Sequence, residues 1–234
     1  MSTPSLSVVA LVPAAGSGSR MGGSSPKQFL GLGGVPLLVR TLRALAGSHV
    51  VRGLVVVAPP SAVERTRRLL RRHRVPRVLA VVAGGRERHE SVWLGLQAVP
   101  PAADLVVVHD GVRPFITGTL VRNVVEAAAR HGAASCGLPV RETVKRVREG
   151  FVETTVDRGG LWFIQTPQAF RRTLLWEAHE KARRDGFLGT DDAVLVERLG
   201  VPVRMVAGLQ ENFKITTPDD LARARVLASA RGRR

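Results

Sequence analysis

The stretch Val12-Pro13-Ala14-Ala15-Gly16-Ser17-Gly18-Ser19-Arg20-Met21 runs from an apolar segment into a loop of small residues that carries a cation, and Pro26-Lys27-Gln28 adds a second. Gly16 and Gly18 remove the Cβ atoms that would block close approach, so backbone N–H groups can face phosphate oxygens, and Arg20 and Lys27 bring full positive charge. That combination suits the cradling of a nucleoside triphosphate. The loop has no Gly-Lys-Ser/Thr ending and no third glycine of a G-x-G-x-x-G, which excludes the two commoner phosphate loops. By itself a G-x-G turn with basic neighbours reads equally well as a solvated surface turn, so the rest of the chain must decide.

Four more groups of residues have chemical content. Gly84-Gly85 with Arg88 and Ser91 reads as a turn opening a helix, where free N–H groups and a hydroxyl could meet the polar edge of a base or a phosphate, or as an ordinary turn capped by Ser91. Asp110 ends an apolar run and Arg113 follows three residues later. A carboxylate there suits a sugar hydroxyl or a hydrated Mg²⁺, and a guanidinium suits phosphate. His109 has no nucleophile motif or second histidine at ligand spacing, so it reads as a structural imidazole rather than a base. Lys214 lies in a short apolar run before a helix with Thr217 as cap and Pro218 in its first turn, and the chain's other lysines are only Lys27, Lys145 and Lys181.

These groups need elements to position them. Nearly continuous apolar runs at 6–12, 53–58, 78–82 and 105–108 alternate with helix-like stretches at 37–46, 61–72, 90–98 and 118–130. This is α/β patterning, with strands buried on both faces of a parallel sheet. In such sheets ligands lie beyond the C-terminal strand ends, which is where the loops starting at Pro13, Gly84 and His109 fall. Residues 133–138 read as a buried strand holding Cys136 as a small core residue. After Val140 the alternation breaks: 141–157 reads as an extended charged excursion of hairpin type, an arm. Helical patterns return at 171–184, 191–199 and 218–229, with a strand at 201–206. No repeat or long linker divides the chain, so 1–234 is expected to be a single domain.

Composition narrows the class. With 234 residues and 44% apolar content the chain can bury a sizeable core. No apolar run is long enough to span a bilayer, and Met1–Leu11 lacks the basic start of a secretory signal, so a soluble, cytoplasmic protein without a membrane partner is expected. The lone Cys136 excludes an internal disulfide and a cysteine-rich zinc site. Lys and Arg number 35 against 19 Asp and Glu, a net charge of +16 that draws phosphorylated ligands and nucleic acid alike. The arginines are scattered through helix-like segments such as 64–72, aromatics are 4%, and no nucleic-acid motif occurs, so a solvated basic surface is favoured over a specific nucleic-acid groove. A non-catalytic nucleotide- or RNA-binding module stays open as a second class. A nicotinamide oxidoreductase is disfavoured by the missing glycine and by the lack of an acidic residue roughly 20 positions beyond the loop.

Taken together, the chain resembles the 2-C-methyl-D-erythritol 4-phosphate cytidylyltransferase family. The resemblance rests on Pro13-Ala14-Ala15-Gly16 with Gly18, Arg20, Met21 and Pro26-Lys27-Gln28; Gly84-Gly85 with Arg88 and Ser91-Val92; and His109-Asp110 with Arg113-Pro114. It continues through Thr143-Val144-Lys145, Val156-Asp157-Arg158, Gln165-Thr166-Pro167-Gln168, Thr190-Asp191-Asp192 and Lys214-Ile215-Thr216. Blocks in this order cover essentially the whole chain.

The resemblance implies a Rossmann-like three-layer sandwich of nucleotidyltransferase type with a mostly parallel sheet and a protruding β-arm, 141–158, that makes a homodimer. It implies transfer of CMP from CTP to 2-C-methyl-D-erythritol 4-phosphate in the non-mevalonate isoprenoid pathway, with pyrophosphate released and Mg²⁺ held mainly by the CTP phosphates. A related acceptor such as ribitol 5-phosphate would leave the CTP half of the site looking the same. By similarity, Ala14, Ala15, Gly16, Gly18, Arg20 and Lys27 hold the triphosphate, Gly85, Arg88 and Ser91 surround the cytosine, and Asp110 lies by the ribose and the acceptor. Arg113, Thr143, Arg158, Thr166, Thr190 and Lys214 position the acceptor phosphate, part of this set coming from a partner subunit's arm; Arg20, Lys27, Arg158 and Lys214 are the catalytic candidates. The chain departs from the family pattern at Ser17 and Ser19, where members often carry a bulkier residue and a second arginine, and at Gly111-Val112 in place of Ala-Ala.

Overall fold

A computed structural model describes residues 6–16 and 26–231. Gly18 and Arg20 of the expected phosphate loop lie outside the described residues. The first half builds a parallel sheet by simple alternation: β1 (Val8–Pro13), a glycine-turned hairpin β2 (Gly31–Leu32) and β3 (Val35–Pro36), α1 (Leu37–Ala46), β4 (Gly53–Ala58), α2 (Val63–Arg72), β5 (Val78–Ala83), α3 (Arg88–Gln97), β6 (Leu105–Val108) and α4 (Gly118–His131). The second half contains β7 (Ala133–Pro139), the hairpin β8 (Val144–Arg148) and β9 (Phe151–Val156), β10 (Trp162–Arg171), α5 (Arg172–Arg184), α6 (Ala193–Glu197), β11 (Arg204–Ala207) and α7 (Pro218–Arg231). The main sheet has the order β11-β7-β10-β6-β1-β4-β5, with β10 antiparallel to both neighbours and the other pairs parallel.

Strand alternation divides the core in two. Val8, Ala10 and Val12, with Leu54, Val56, Leu105 and Val107, face one layer packed by Leu38, Leu42, Leu45, Val121 and Val124. Val9, Leu11, Val55, Val57, Val106 and Val108 face the other, packed by Val92, Leu96, Leu175, Ala178 and Leu195. Both faces are covered, which is why these strands carry no polar alternation. A third cluster of Leu32, Leu37, Val112, Phe115, Ile215 and Leu221 sits beyond the sheet and ties α7 and the 212–216 segment to the loop after β6.

The sandwich and its parallel order agree with the patterning of the sequence. Several boundaries shift by a few residues. The 61–72 helix begins as a short 3-10 turn, Pro60–Ala62, before α2, the 191–199 helix contracts to α6, and the 201–206 strand moves to β11. The apolar residues of β10, 162–164 and 169–170, are separated by the polar Gln165-Thr166-Pro167-Gln168 stretch, so the strand has no continuous apolar run. It holds Pro167, which cannot donate to a ladder, and its register with β7 breaks between Gln165 and Ala169, a bulge that accommodates the proline. That bulge lies beside Asp110.

Candidate active site

The C-terminal ends of β1, β5 and β6 frame a cavity of about 410 Å³ that Ala14, Gly16, Lys27, Gly85, Arg88, Ser91, Asp110 and Lys214 help to line, within the range of small-molecule sites. Each wall has a local cause. Ala14 N–H donates to Val57 O at 2.8 Å, extending the β1–β4 pairing past the strand and setting the start of the small-residue loop. A Cβ on Gly16 would meet no described atom within 4 Å, so the space beside it is open to the cavity rather than filled by packing. At Gly84 a Cβ would come within 2.4 Å of Ala15 Cβ and 2.7 Å of Ser91 Oγ, so this glycine lets two loops touch. Gly111 has a similar reason: a Cβ would stand 3.0 Å from Ala14 Cβ.

The turn into α3 differs from the expectation of free N–H groups. Ser91 Oγ accepts from Gly85 N at 3.2 Å, and the Glu90 carboxylate takes the N–H groups of Arg86 at 2.8 Å and Glu87 at 3.4 Å. A helix start is stabilised by such a reciprocal cap, and here it leaves side chains rather than those amides to meet a ligand.

Asp110 is the electrostatic centre. Its Oδ2 lies 3.1 Å from Arg113 Nε and 3.2 Å from Lys214 Nζ, and its Oδ1 lies 3.8 Å from Arg88 Nε. Burial by itself would raise its pKa, but Lys214, Arg113 and Arg88 together outweigh burial and hold the carboxyl well below the usual carboxylate range. Lys214 reaches this position because Ile215, fully buried in the third cluster, donates its N–H to Val112 O at 3.0 Å and anchors the segment. Thr217 accepts from Asp220 N–H, while Asp220 caps Thr216 and Thr217 in return.

Beneath Asp110 runs a fully satisfied polar chain. Asp110 N–H donates to Thr166 Oγ1 at 3.1 Å, and the Thr166 hydroxyl donates to His109 Nδ1 at 3.0 Å. The opposite nitrogen, Nε2, donates to Arg113 O at 3.2 Å, which assigns the neutral Nε2–H tautomer. Burial pushes the His109 pKa down to about 4, against the pull of Asp110. The imidazole is structural.

Arg113 and Thr166, expected to touch the acceptor, sit directly behind Asp110 rather than on the cavity wall. Arg113 is buried with Nε on Asp110 and Nη1 on Asn212 O at 2.8 Å, and it does not line the cavity. Thr166 spends its hydroxyl on Asp110 and His109. The reason in both cases is burial, which obliges each polar group to find a protein partner. Thr143 and Arg158 are exposed on and beside the hairpin, Arg158 bonding the Arg141 carbonyl, and Thr190 is exposed before α6; none lines the cavity within the one chain.

Sequence reasoning gave no role to Asn212, Gln165, Gln168 and Asp192, all buried. Asn212 Nδ2 donates to Thr166 O at 2.7 Å, Gln165 Nε2 to Leu209 O at 2.9 Å, and Asp192 accepts from Arg88 at 2.8 Å. For Gln165, Gln168 and Asp192 the signal was polar residues clustered in the Gln-Thr-Pro-Gln and Thr-Asp-Asp blocks, and for Asn212 its place two residues before Lys214, visible without an assignable partner.

Comparison with known proteins points one way. A family model described as 2-C-methyl-D-erythritol 4-phosphate cytidylyltransferase matches residues 8–229. A protein of that description from Geobacillus thermodenitrificans is 46% identical over 222 residues, 95% of this chain and 97% of the relative. One from Symbiobacterium thermophilum is 47% identical over 227 residues, 97% of this chain and 94% of its own length. The crystal structure of the protein of that description from Thermus thermophilus superposes with a TM-score of 0.80 at 38% identity, covering 96% of this chain and 100% of that one.

Proposed function

The chain belongs to the 2-C-methyl-D-erythritol 4-phosphate cytidylyltransferase family, and from that premise we propose how its residues carry cytidylyl transfer. The reaction joins the phosphate of methylerythritol phosphate to the α-phosphorus of CTP, releases pyrophosphate and serves isoprenoid biosynthesis.

A phosphate monoester has a second pKa of about 6, so the attacking oxygen is mostly deprotonated at pH 7 and needs no general base. The neutral, fully bonded His109 supports that reading. Positioning and charge neutralisation carry the rate instead. Ala14, Ala15, Gly16 and Gly18 with Arg20 and Lys27 take the triphosphate; Gly85, Arg88 and Ser91 face the cytosine; Asp110 meets the ribose and the acceptor. Lys214 binds the acceptor phosphate, while Arg113 and Thr166 act by fixing Asp110. The observation that carries this division is the Asp110 carboxylate, held by Lys214 on the acceptor side and approached by Arg88 on the nucleotide side.

Among the described residues no three His, Cys, Asp or Glu side chains could hold a metal ion. The cavity is lined by two carboxylates, Asp110 and Glu87, so Mg²⁺ there would take most of its oxygen ligands from the CTP phosphates. Bound there, the ion would neutralise charge developing on the phosphates.

The acceptor side is completed by a second copy. Val147, Phe151 and Val152 on the arm, and Phe163 and Ile164 on β10, are exposed apolar residues, and Thr143 and Arg158 sit at the arm's base. A homodimer that buries this surface would bring those two residues to the partner's cavity. No helix among the described residues is long and apolar enough to cross a membrane.

The test is pyrophosphate release with CTP and either methylerythritol phosphate or ribitol 5-phosphate. Faster turnover of the first is expected, and faster turnover of the second would reassign the acceptor. No release, with RNA binding that weakens steeply in salt, would favour the non-catalytic class.

A further inference from the structure

We infer that Asp192, itself oriented by His179, is the positioning residue that fixes Arg88 for the nucleotide base. The inference rests on the reading of Arg88 given above and extends it to residues outside the cavity wall.

Arg88 opens α3 and is a long side chain that would otherwise sample many rotamers. Its Nη2 lies 2.8 Å from Asp192 Oδ2, and its Nε 3.8 Å from Asp110 Oδ1. Asp110 is already matched by Lys214 and Arg113 at shorter range, so Asp192 is the carboxylate that answers the Arg88 charge. It can do so because it has no freedom of its own. Asp192 is fully buried, His179 Nε2 donates to its other oxygen at 3.1 Å, and Gln168 Oε1 accepts its backbone N–H at 3.2 Å. Gln168 is held in turn, donating to Asp191 at 2.6 Å and to Ser135 at 3.1 Å.

His179 comes from α5 and stacks on Trp93 of α3, ring centroids 6.2 Å apart and planes at 25°. Arg88 and Trp93 share one helix, so the path Arg88, Asp192, His179, Trp93 closes on itself through the loop before α6 and through α5. A closed circuit of contacts anchored on the buried Asp192 and His179 restrains the guanidinium more tightly than one surface ion pair could. Burial would lower the Arg88 pKa, and Asp192 first, then Asp110, outweigh that, so the guanidinium stays charged in its partly buried position.

The test compares Asp192→Asn, His179→Gln, Arg88→Gln and the Asp192→Asn/Arg88→Gln pair, with CTP and the acceptor varied separately and folding checked by circular dichroism. A hydrogen bond to a charged group sets the scale. Asp192→Asn is expected to raise KM for CTP by about 10-fold or more with the acceptor KM changed less than about 3-fold. His179→Gln should move the same parameter in the same direction by less. The pair should be no worse than Arg88→Gln alone, because a residue acting through Arg88 has nothing left to position. Additive losses in the pair, or a folded Asp192→Asn enzyme with unchanged or equally raised KM values, would overturn the inference alone. An Arg88→Gln enzyme with unchanged KM for CTP would overturn the nucleotide reading of Arg88 and the inference with it. If Asp192→Asn does not fold, His179→Gln in the Arg88→Gln background makes the same comparison.

Discussion

Lys214 Nζ and Arg113 Nε converge on one oxygen of Asp110, at 3.2 Å and 3.1 Å, yet the two cations differ in access: the Lys214 side chain is 35% exposed and the Arg113 side chain 10%. Lys214 can therefore serve a ligand while Arg113 serves the carboxylate.

Lys214→Ala should keep the fold, because Ile215 anchors the segment and Arg113 still neutralises Asp110. A lost charged hydrogen bond is worth about 1.5–3 kcal/mol, so kcat/KM for the acceptor should fall by roughly 10- to 150-fold with KM for CTP little changed. Arg158→Ala should act in the same direction. Steady-state pyrophosphate release with each substrate varied in turn measures both, and wild-type kinetics in either variant would remove that residue from the acceptor site.

Arg20→Ala and Lys27→Ala should each lower turnover by ~10²–10³ with folding intact, the usual cost of losing one preorganised donor to developing charge. Near-normal turnover in either enzyme would reject its triphosphate role.

Stability should fall on acidification in two separable windows. The native pKa of His109 is about 4 against an ordinary 6.5, so from pH 6.5 down to 4 the unfolded chain takes up a proton that the native chain refuses. Stability is lost through that window by about 3 kcal/mol and then levels for this group. Asp110 works lower: its native pKa is depressed, so its contribution is complete above about pH 4 and disappears as the pH falls further. Urea unfolding of wild type and His109→Gln at pH 7, 5.5 and 4.5 tests the first window. A wild-type slope retained in full by the variant would contradict it.

Phe151→Asp with Phe163→Asp should shift the proposed dimer to monomer in sedimentation, and weaken use of the acceptor more than of CTP, since Phe151 at the arm's tip and Phe163 on β10 are exposed apolar groups on the surface proposed to be buried between copies. A dimer of unchanged stability would exclude this face.

Legibility followed the range of the forces involved. The strands β4 and β6 and the helix α1 could be bounded from the sequence because apolar continuity and helical period are local properties. The strand β10 was not read from the sequence: Gln165, Thr166 and Gln168 interrupt its apolar residues, and their burial makes sense only once His109, Asp192, Ser135 and Asn212 supply partners.

The amino-acid order alone determined the α/β alternation, the loops that gather at one sheet edge and the kinds of group those loops bring. The division of labour among them was decided by the tertiary structure: Arg113 turned inward, Lys214 outward, Glu90 onto the turn that was expected to stay open, and Asp192 onto Arg88. Pairing of buried charges depends on groups distant in the chain, Arg88 and Asp192 being 104 residues apart. A residue type announces that a charge must be matched, and only the packed fold chooses its partner.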